Sequence, residues 1–157
     1  MPSVKSQPKT DLDKLSPKEG IALFTDGSSW AKDGSGGWAW IAIDAFDGEA
    51  SDAGYEHDTT VNRMEMQAWV EGLTAVFEAH GACRVLVYSD SEYVGLGAMD
   101  HTRARKKNRD WWEWIDKSID AHLYVEFVHV RGHDGHKYNE RADEMAGRAR
   151  REGNQSA

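Results

Sequence analysis

The chain has 157 residues, 39% of them hydrophobic, which suffices for one hydrophobic core. Its formal net charge of -8 argues against a protein that coats nucleic acid through a broad positive field. Cys83 is the single cysteine, so an internal disulfide is excluded and a structural zinc site lacks its usual ligands. These properties favour one domain in a reducing, cytoplasmic compartment.

The two ends of the chain differ from its middle. Residues 1–20 contain prolines and lysines and no apolar run long enough for a signal peptide or a membrane span. We therefore expect a flexible N-terminal tail over 1–20, a folded domain over 21–151 and a short C-terminal tail over 152–157. Interaction with a membrane is not expected.

The first half of the folded region reads as three strands and a helix. Apolar-rich runs predict a hairpin of strands over 21–29 and 37–43, and turn residues around 47–48 precede a third, short strand over 53–58. Apolar residues then recur at helical spacing from 62 to 80, where Gly81 ends the pattern. Asn62 is a candidate N-cap of this helix.

The second half begins with the continuous apolar run 85–88, which is typical of a strand buried on both faces of a parallel sheet. Helices are predicted before and after residues 101–109, then a strand over 123–130 and a last helix capped by Asn139. The tryptophans at 111, 112 and 114 suit helix packing better than stacking on nucleic acid. The order predicts an α/β protein with a mixed sheet flanked by helices.

Four carboxylates occupy positions that converge in such a fold. Asp26 and Asp90 follow strands, where open α/β sheets collect their chemistry, while Glu65 and Asp143 border the apolar faces of two helices. Each acid alone is explained as well by a turn, an N-cap, a solvated surface or an arginine pair. Together they favour a divalent cation, and hard oxygen ligands favour magnesium or manganese.

The segments around these acids carry a family resemblance. FTDGSS around Asp26, NRMEMQA around Glu65, YSDSEYV around Asp90 and RGHDGHKYNERADEMA before and after Asp143 resemble the signature segments of type 1 ribonuclease H, in the family's order. The resemblance implies the ribonuclease H-like fold over 21–151. Its five-stranded mixed sheet has three antiparallel strands first, and the fourth and fifth strands run parallel to the first.

The resemblance also implies an activity. Members of this family are endonucleases that hydrolyse the RNA strand of RNA/DNA hybrids and leave 5'-phosphate and 3'-hydroxyl ends. Asp26, Glu65, Asp90 and Asp143 would hold two Mg²⁺ ions, for which Mn²⁺ can substitute. His133, between Gly132 and Gly135, matches the family's loop histidine that assists proton transfer or product departure.

Contacts with the hybrid are expected in two places. By resemblance, one set lines the groove near the acids, with Thr60 in a pocket for a DNA phosphate. A basic run over 103–109 is expected to be a reduced counterpart of the family's basic protrusion. The predicted substrate-binding residues are Gly27, Ser28, Ser29, Thr60, Asn62, Met64, Arg103, Arg105, Lys106 and Lys107.

Three residues depart from the family pattern. Val61 and Glu92 stand where an amide side chain is common, and Asp58 stands where a base often helps to hold the DNA phosphate. These departures favour a weaker grip on the hybrid. Two alternatives stay open, a binding module of the same fold that does not cut, and a resolvase or integrase core. We expect a monomer with no obligate protein partner.

Overall fold

The computed structural model describes residues 4–5, 11–103, 105–131 and 136–156. One mixed sheet forms its centre, with the strand order β1-β4-β3-β2-β5-β6. The strands are β1 (Val4–Lys5), β2 (Ile21–Trp30), β3 (Ser35–Ile43), β4 (Glu49–Glu56), β5 (Arg84–Ser89) and β6 (Tyr124–His129). The helices are α1 (Val61–His80), α2 (Glu92–Met99), α3 (Arg109–Asp120) and α4 (Lys137–Ser156).

The sheet confirms the predicted fold. β2, β3 and β4 pair antiparallel, and β5 and β6 run parallel to β2. These five strands are the five that the sequence predicted. The two-residue strand β1 pairs antiparallel with β4 at the edge of the sheet. Within the described residues, no helix is both long enough and apolar enough to cross a bilayer.

Two hydrophobic layers cover the sheet, because successive side chains of a strand point to opposite faces. In β2, Leu23 packs into the large cluster under α1, while Phe24 packs against Ala142 of α4. Trp111 and Trp112 of α3 are buried in the large cluster, as expected for core residues. Trp30, at the end of β2, is the exception, since 49% of its surface is exposed.

Two predicted helix caps are wrong. Thr60, not Asn62, caps α1, because its side chain accepts a hydrogen bond from the Arg63 amide at 3.3 Å. Asn139 lies inside α4, because the helix already begins at Lys137, where Glu140 N donates a hydrogen bond to His136 O. Residues that favour N-caps are also tolerated within the first turn of a helix. Residue type alone therefore placed the first residues of α1 and α4 wrongly.

Both predicted tails include residues with regular structure. Residues 12–14 and 17–19 form 3-10 turns, and Leu15 between them is buried in the large cluster. At the other end α4 continues to residue 156, and the Asn154 side chain donates to the Asp33 carboxylate at 3.2 Å. The folded part therefore extends beyond 21–151 on both sides.

Candidate active site

Three carboxylates from three different elements meet at one end of the sheet. Asp26 comes from β2, Glu65 from the second turn of α1, and Asp90 directly follows β5. One oxygen of each lies within 4.8 Å of the others. β2 and β5 are parallel neighbours, so their carboxyl ends lie side by side at the edge of the sheet where the sequence predicted the site.

Glu65 reaches this edge because Gly27 has no side chain. A Cβ atom built on Gly27 would lie 2.4 Å from the Glu65 amide nitrogen, which is closer than any contact between non-bonded atoms allows. The same approach lets the Gly27 amide donate a hydrogen bond to Glu65 Oε1 at 3.0 Å. The glycine therefore fixes both the distance between β2 and α1 and the orientation of the carboxylate.

Burial and mutual repulsion make these acids hard to ionise together. Burial, the neighbouring charge of Glu65 and a hydrogen bond with its carboxyl group raise the pKa of Asp26 far above its ordinary value. Burial also raises the pKa of Glu65, although hydrogen bonds from Asp26 and the Gly27 amide oppose the shift. Burial and the charge of Asp143 raise the pKa of Asp90.

The donor set fits a divalent cation. Glu65 Oε2 is buried and has no hydrogen-bond partner among the described residues, which is costly for a carboxylate oxygen. A hard cation bound among Asp26, Glu65 and Asp90 would satisfy that oxygen and offset the burial and mutual repulsion that raise the three pKa values. Carboxylate oxygens are the ligands that magnesium and manganese prefer.

Asp143 lies on α4, beside the three converging acids. Its carboxyl group contributes to the raised pKa of Asp26, and its charge adds to the repulsion at Glu65 and Asp90. Unlike Asp26 and Glu65, it is exposed to solvent. The four acids proposed from the sequence are therefore neighbours, with three in a compact group and the fourth at its solvent side.

The histidine expected beside the acids, His133, lies outside the described residues, so its role stays a prediction. The structure brings a different histidine to this edge. His129, at the end of β6, pairs in register with Ser89, and its Nε2 lies 3.7 Å from Glu92 Oε1. Its charge, when present, lowers the pKa of Asp90. In the sequence, the signal for His129 is its place at the carboxyl end of the last predicted strand, which runs parallel to β5 and ends beside Asp90.

The predicted groove residues lie around the acids in different environments. Ser28 and Ser29 are partly exposed on β2, and Thr60 and Asn62 are exposed at the start of α1. Gly27 and Met64 are buried, Met64 with 1% of its surface exposed, so the structure leaves neither residue open to a substrate. The three residues that depart from the family pattern, Val61, Asp58 and Glu92, are exposed.

The basic run over 103–109 does not form one surface. Arg105 turns inward, where its guanidinium donates to both oxygens of Asp116 at 2.7 and 3.1 Å and to the Gly97 carbonyl at 2.8 Å. It also lies over the Trp112 ring, 4.7 Å from the centroid. Arg103, Lys106 and Lys107 are exposed. Arg105 therefore anchors the segment, and the exposed bases are the ones free to meet a phosphate.

Comparisons with known proteins agree with this geometry. The family model of RNase H matches residues 18–151. A ribonuclease H of Chromobacterium violaceum is 35% identical over 145 residues, which cover 84% of this chain and 95% of that protein. One of Thermus thermophilus is 40% identical over 147 residues, which cover 85% of each.

Solved structures share the fold. The N-terminal RNase H domain of a Mycobacterium tuberculosis protein superposes with a TM-score of 0.76 at 18% identity, covering 90% of this chain and 99% of that one. LC11-RNase H1, solved in complex with an RNA/DNA hybrid, gives a TM-score of 0.71 at 20% identity, covering 85% and 98%. By its matched sequence, its sheet and its converging acids, this chain belongs to the RNase H family.

Proposed function

We propose that this ribonuclease H cuts the RNA strand of RNA/DNA hybrids internally, with two divalent cations, and leaves 5'-phosphate and 3'-hydroxyl ends. The observation that carries the proposal is the convergence of Asp26, Glu65 and Asp90, with Asp143 beside them, in a chain of this family. The hybrid is the substrate of choice because LC11-RNase H1, which has the same fold, was solved with one bound.

The four carboxylates would hold two Mg²⁺ ions, which supply positive charge for the attacking water and for the departing 3'-oxygen. The chain's own contribution is to fix the ligands before substrate arrives. Gly27 holds the Glu65 carboxylate through its amide, and the paired strands β2 and β5 hold Asp26 and Asp90 at one edge. Mn²⁺ would support the same arrangement, since it accepts the same oxygen ligands.

Selectivity for a hybrid requires recognition of 2'-hydroxyl groups on one strand. Ser28 and Ser29 follow Asp26 along β2 and are partly exposed. We assign the Ser28 side chain, on the face of Asp26, and the Ser29 backbone to contacts with the strand that lies over the acids. Thr60 and Asn62, at the exposed start of α1, would meet the other strand. There the unpaired amides of a helix start favour a phosphate. We assign His133 to proton transfer or product departure, which predicts slower turnover but intact metal binding in His133→Ala.

The test is to incubate end-labelled RNA/DNA hybrid, duplex RNA and duplex DNA with the protein and Mg²⁺, alongside Asp90→Asn. We expect internal cuts in the RNA of the hybrid, intact duplex DNA, and a loss of at least about a hundredfold in the variant, since a ligand charge is removed without a change of shape. Asp13→Asn, at an exposed acid of the first 3-10 turn, is the control.

Two outcomes would reject the proposal. Hybrid binding without cleavage by the wild type would indicate a binding module, and equal cleavage of all three substrates would indicate another class of nuclease. The product ends are identified by kinase labelling. A downstream product with a 5'-phosphate is labelled by a kinase only after that phosphate has been removed. The monomeric state and the cytoplasmic location remain predictions.

A further inference from the structure

Trp30 is a large aromatic residue that the proposed chemistry does not use. It is the last residue of β2, and 49% of its surface is exposed, whereas Trp38, Trp40 and Trp69 are fully buried. An exposed indole costs free energy in water unless something covers it.

Two cations flank the exposed ring. Lys32 Nζ lies 5.6 Å from the Trp30 ring centroid, and the Arg150 guanidinium carbon lies 5.8 Å from it. Among the described residues, neither base is in an ion pair. We call Trp30, Lys32 and Arg150 the indole platform. An aromatic face next to two available cations suits a sugar-phosphate backbone.

The platform is built into the fold. Arg150 of α4 donates a hydrogen bond to Ser35 Oγ at 3.2 Å, and Ser35 pairs with Trp30 across the hairpin. Asp33 is an acid of this region. Its oxygens accept from Ser35 and Asn154, and the charge of Arg150 contributes to its lowered pKa. α4 can come so close because β3 has Gly37 there, where a Cβ atom would lie 2.1 Å from the Ala146 carbonyl oxygen.

The platform lies on the same face of β2 as the acid site. Side chains alternate along a strand, so Asp26, Ser28 and Trp30 point to one face, and Trp30 is about 13 Å beyond Asp26. The nucleic-acid strand whose phosphate lies over Asp26 would continue along β2 toward Trp30. In a duplex the bases are paired, so the indole would meet a ribose while the two cations meet adjacent phosphates.

We propose that the indole platform binds the RNA strand of the hybrid a few nucleotides from the cut, through ribose contact with Trp30 and phosphate contacts with Lys32 and Arg150. This inference rests on the proposed function. It assigns to this end of β2 part of the grip that the basic run was expected to supply.

The first experiment measures KM, kcat and the salt dependence of hybrid affinity for Trp30→Ala, Trp30→Phe and the double variant Lys32→Gln/Arg150→Gln. We expect KM to rise about tenfold in Trp30→Ala and to recover in Trp30→Phe, with kcat at saturating hybrid unchanged. The double variant should reduce the slope of log affinity against log salt by about 1 for each phosphate that it no longer neutralises.

Matched controls separate this effect from general changes of surface. Phe46 is 71% exposed in the turn at the opposite end of β3, so Phe46→Ala removes an exposed aromatic residue far from the platform. Arg148→Gln removes an exposed base from the same helix, α4. Neither control should change KM or the salt slope, and melting curves identify any variant that fails to fold.

The second experiment changes the substrate. A series of hybrids is made, and each carries a single uncharged methylphosphonate linkage at a 2'-deoxynucleotide of the RNA strand. The position of this linkage moves by one nucleotide from one hybrid to the next. Two adjacent positions on one side of the cut should each weaken wild-type binding but not binding by Lys32→Gln/Arg150→Gln. If all positions weaken both proteins equally, or if the variants keep wild-type KM and salt slope while the wild type cuts, the platform is refuted and the proposed function stands. If the wild type does not cut the hybrid, the proposed function itself fails.

Discussion

The acid site and the basic run over 103–109 were both predicted from charged residues, but they are built differently. The acids are held by backbone packing, since Asp26 and Glu65 are buried and Gly27 sets the distance between their elements. The bases lie on a connecting segment, and one of them, Arg105, is turned inward by Asp116. A charge placed by tightly packed elements keeps its expected position, whereas a charge on a surface segment takes the nearest partner.

Gly27→Ala is expected to have the largest effect on the acid site. The added methyl group would overlap the Glu65 amide, so either β2 and α1 separate or the fold loses about 3 kcal/mol. Cleavage should fall with the displaced Glu65 carboxylate. Chemical denaturation and turnover measure the two effects.

Gly147→Ala is the matched control for that change. A Cβ atom there meets only the flexible Arg151 guanidinium at 3.1 Å, and alanine favours a helix over glycine by about 1 kcal/mol. We expect equal or higher stability and unchanged turnover. Wild-type stability and turnover in Gly27→Ala would show that the acid site does not depend on this close packing.

Within the basic run, Arg105→Gln should differ from the double variant Lys106→Gln/Lys107→Gln. Loss of the partly buried pair with Asp116 should cost about 1–3 kcal/mol of unfolding free energy, because Asp116 and the Gly97 carbonyl lose their donors. The exposed lysines should contribute little to stability but reduce the salt dependence of hybrid binding when removed. Equal melting temperatures for the two variants would contradict this division of the segment.

The last expected effect, of similar size, is on the pH dependence of the metal-free protein. Asp26, Glu65 and Asp90 have pKa values that are higher in the folded than in the unfolded chain, so the folded state binds more protons. Their contribution is fully present below the unfolded pKa of about 4 and is lost as pH rises through the folded values. Unfolding free energy in EDTA should therefore fall by about 1–3 kcal/mol between pH 5 and 8.

Asp26→Asn should flatten this decline, since the amide cannot ionise, and Mg²⁺ should stabilise the wild type more at pH 8 than at pH 5. The exposed acids Asp33 and Asp100 have lowered pKa values and act in the opposite direction, but only at lower pH, below the ordinary carboxyl range. A metal-free protein whose stability does not change between pH 5 and 8 would contradict the burial and mutual repulsion inferred for these carboxyl groups.

Hydrophobic alternation and signature segments were sufficient to predict the five main strands, the helices and the meeting of Asp26, Glu65 and Asp90 at one edge of the sheet. They were insufficient where a residue's position depends on a distant partner. β4 begins at Glu49, earlier than the predicted start at residue 53. The prediction missed the first half of the strand because Ser51 and Asp52 are polar, although Asp52 is buried. The direction of Arg105 depends on Asp116, eleven residues later on another element. Local pattern contains no signal for either arrangement.

The helix α4 has a fixed far end, which bears on how Asp143 meets a cation. Asn154 is bonded to Asp33, and Gly153 packs against the Tyr55 ring so closely that a Cβ atom would lie 2.1 Å from it. The contacts of Gly153 and Asn154 thus hold the backbone of α4 in place about two to three turns beyond Asp143. For Asp143 to bind a cation, only its two side-chain torsions have to change, and α4 keeps its position. The entropic cost of this binding is then that of ordering one short side chain.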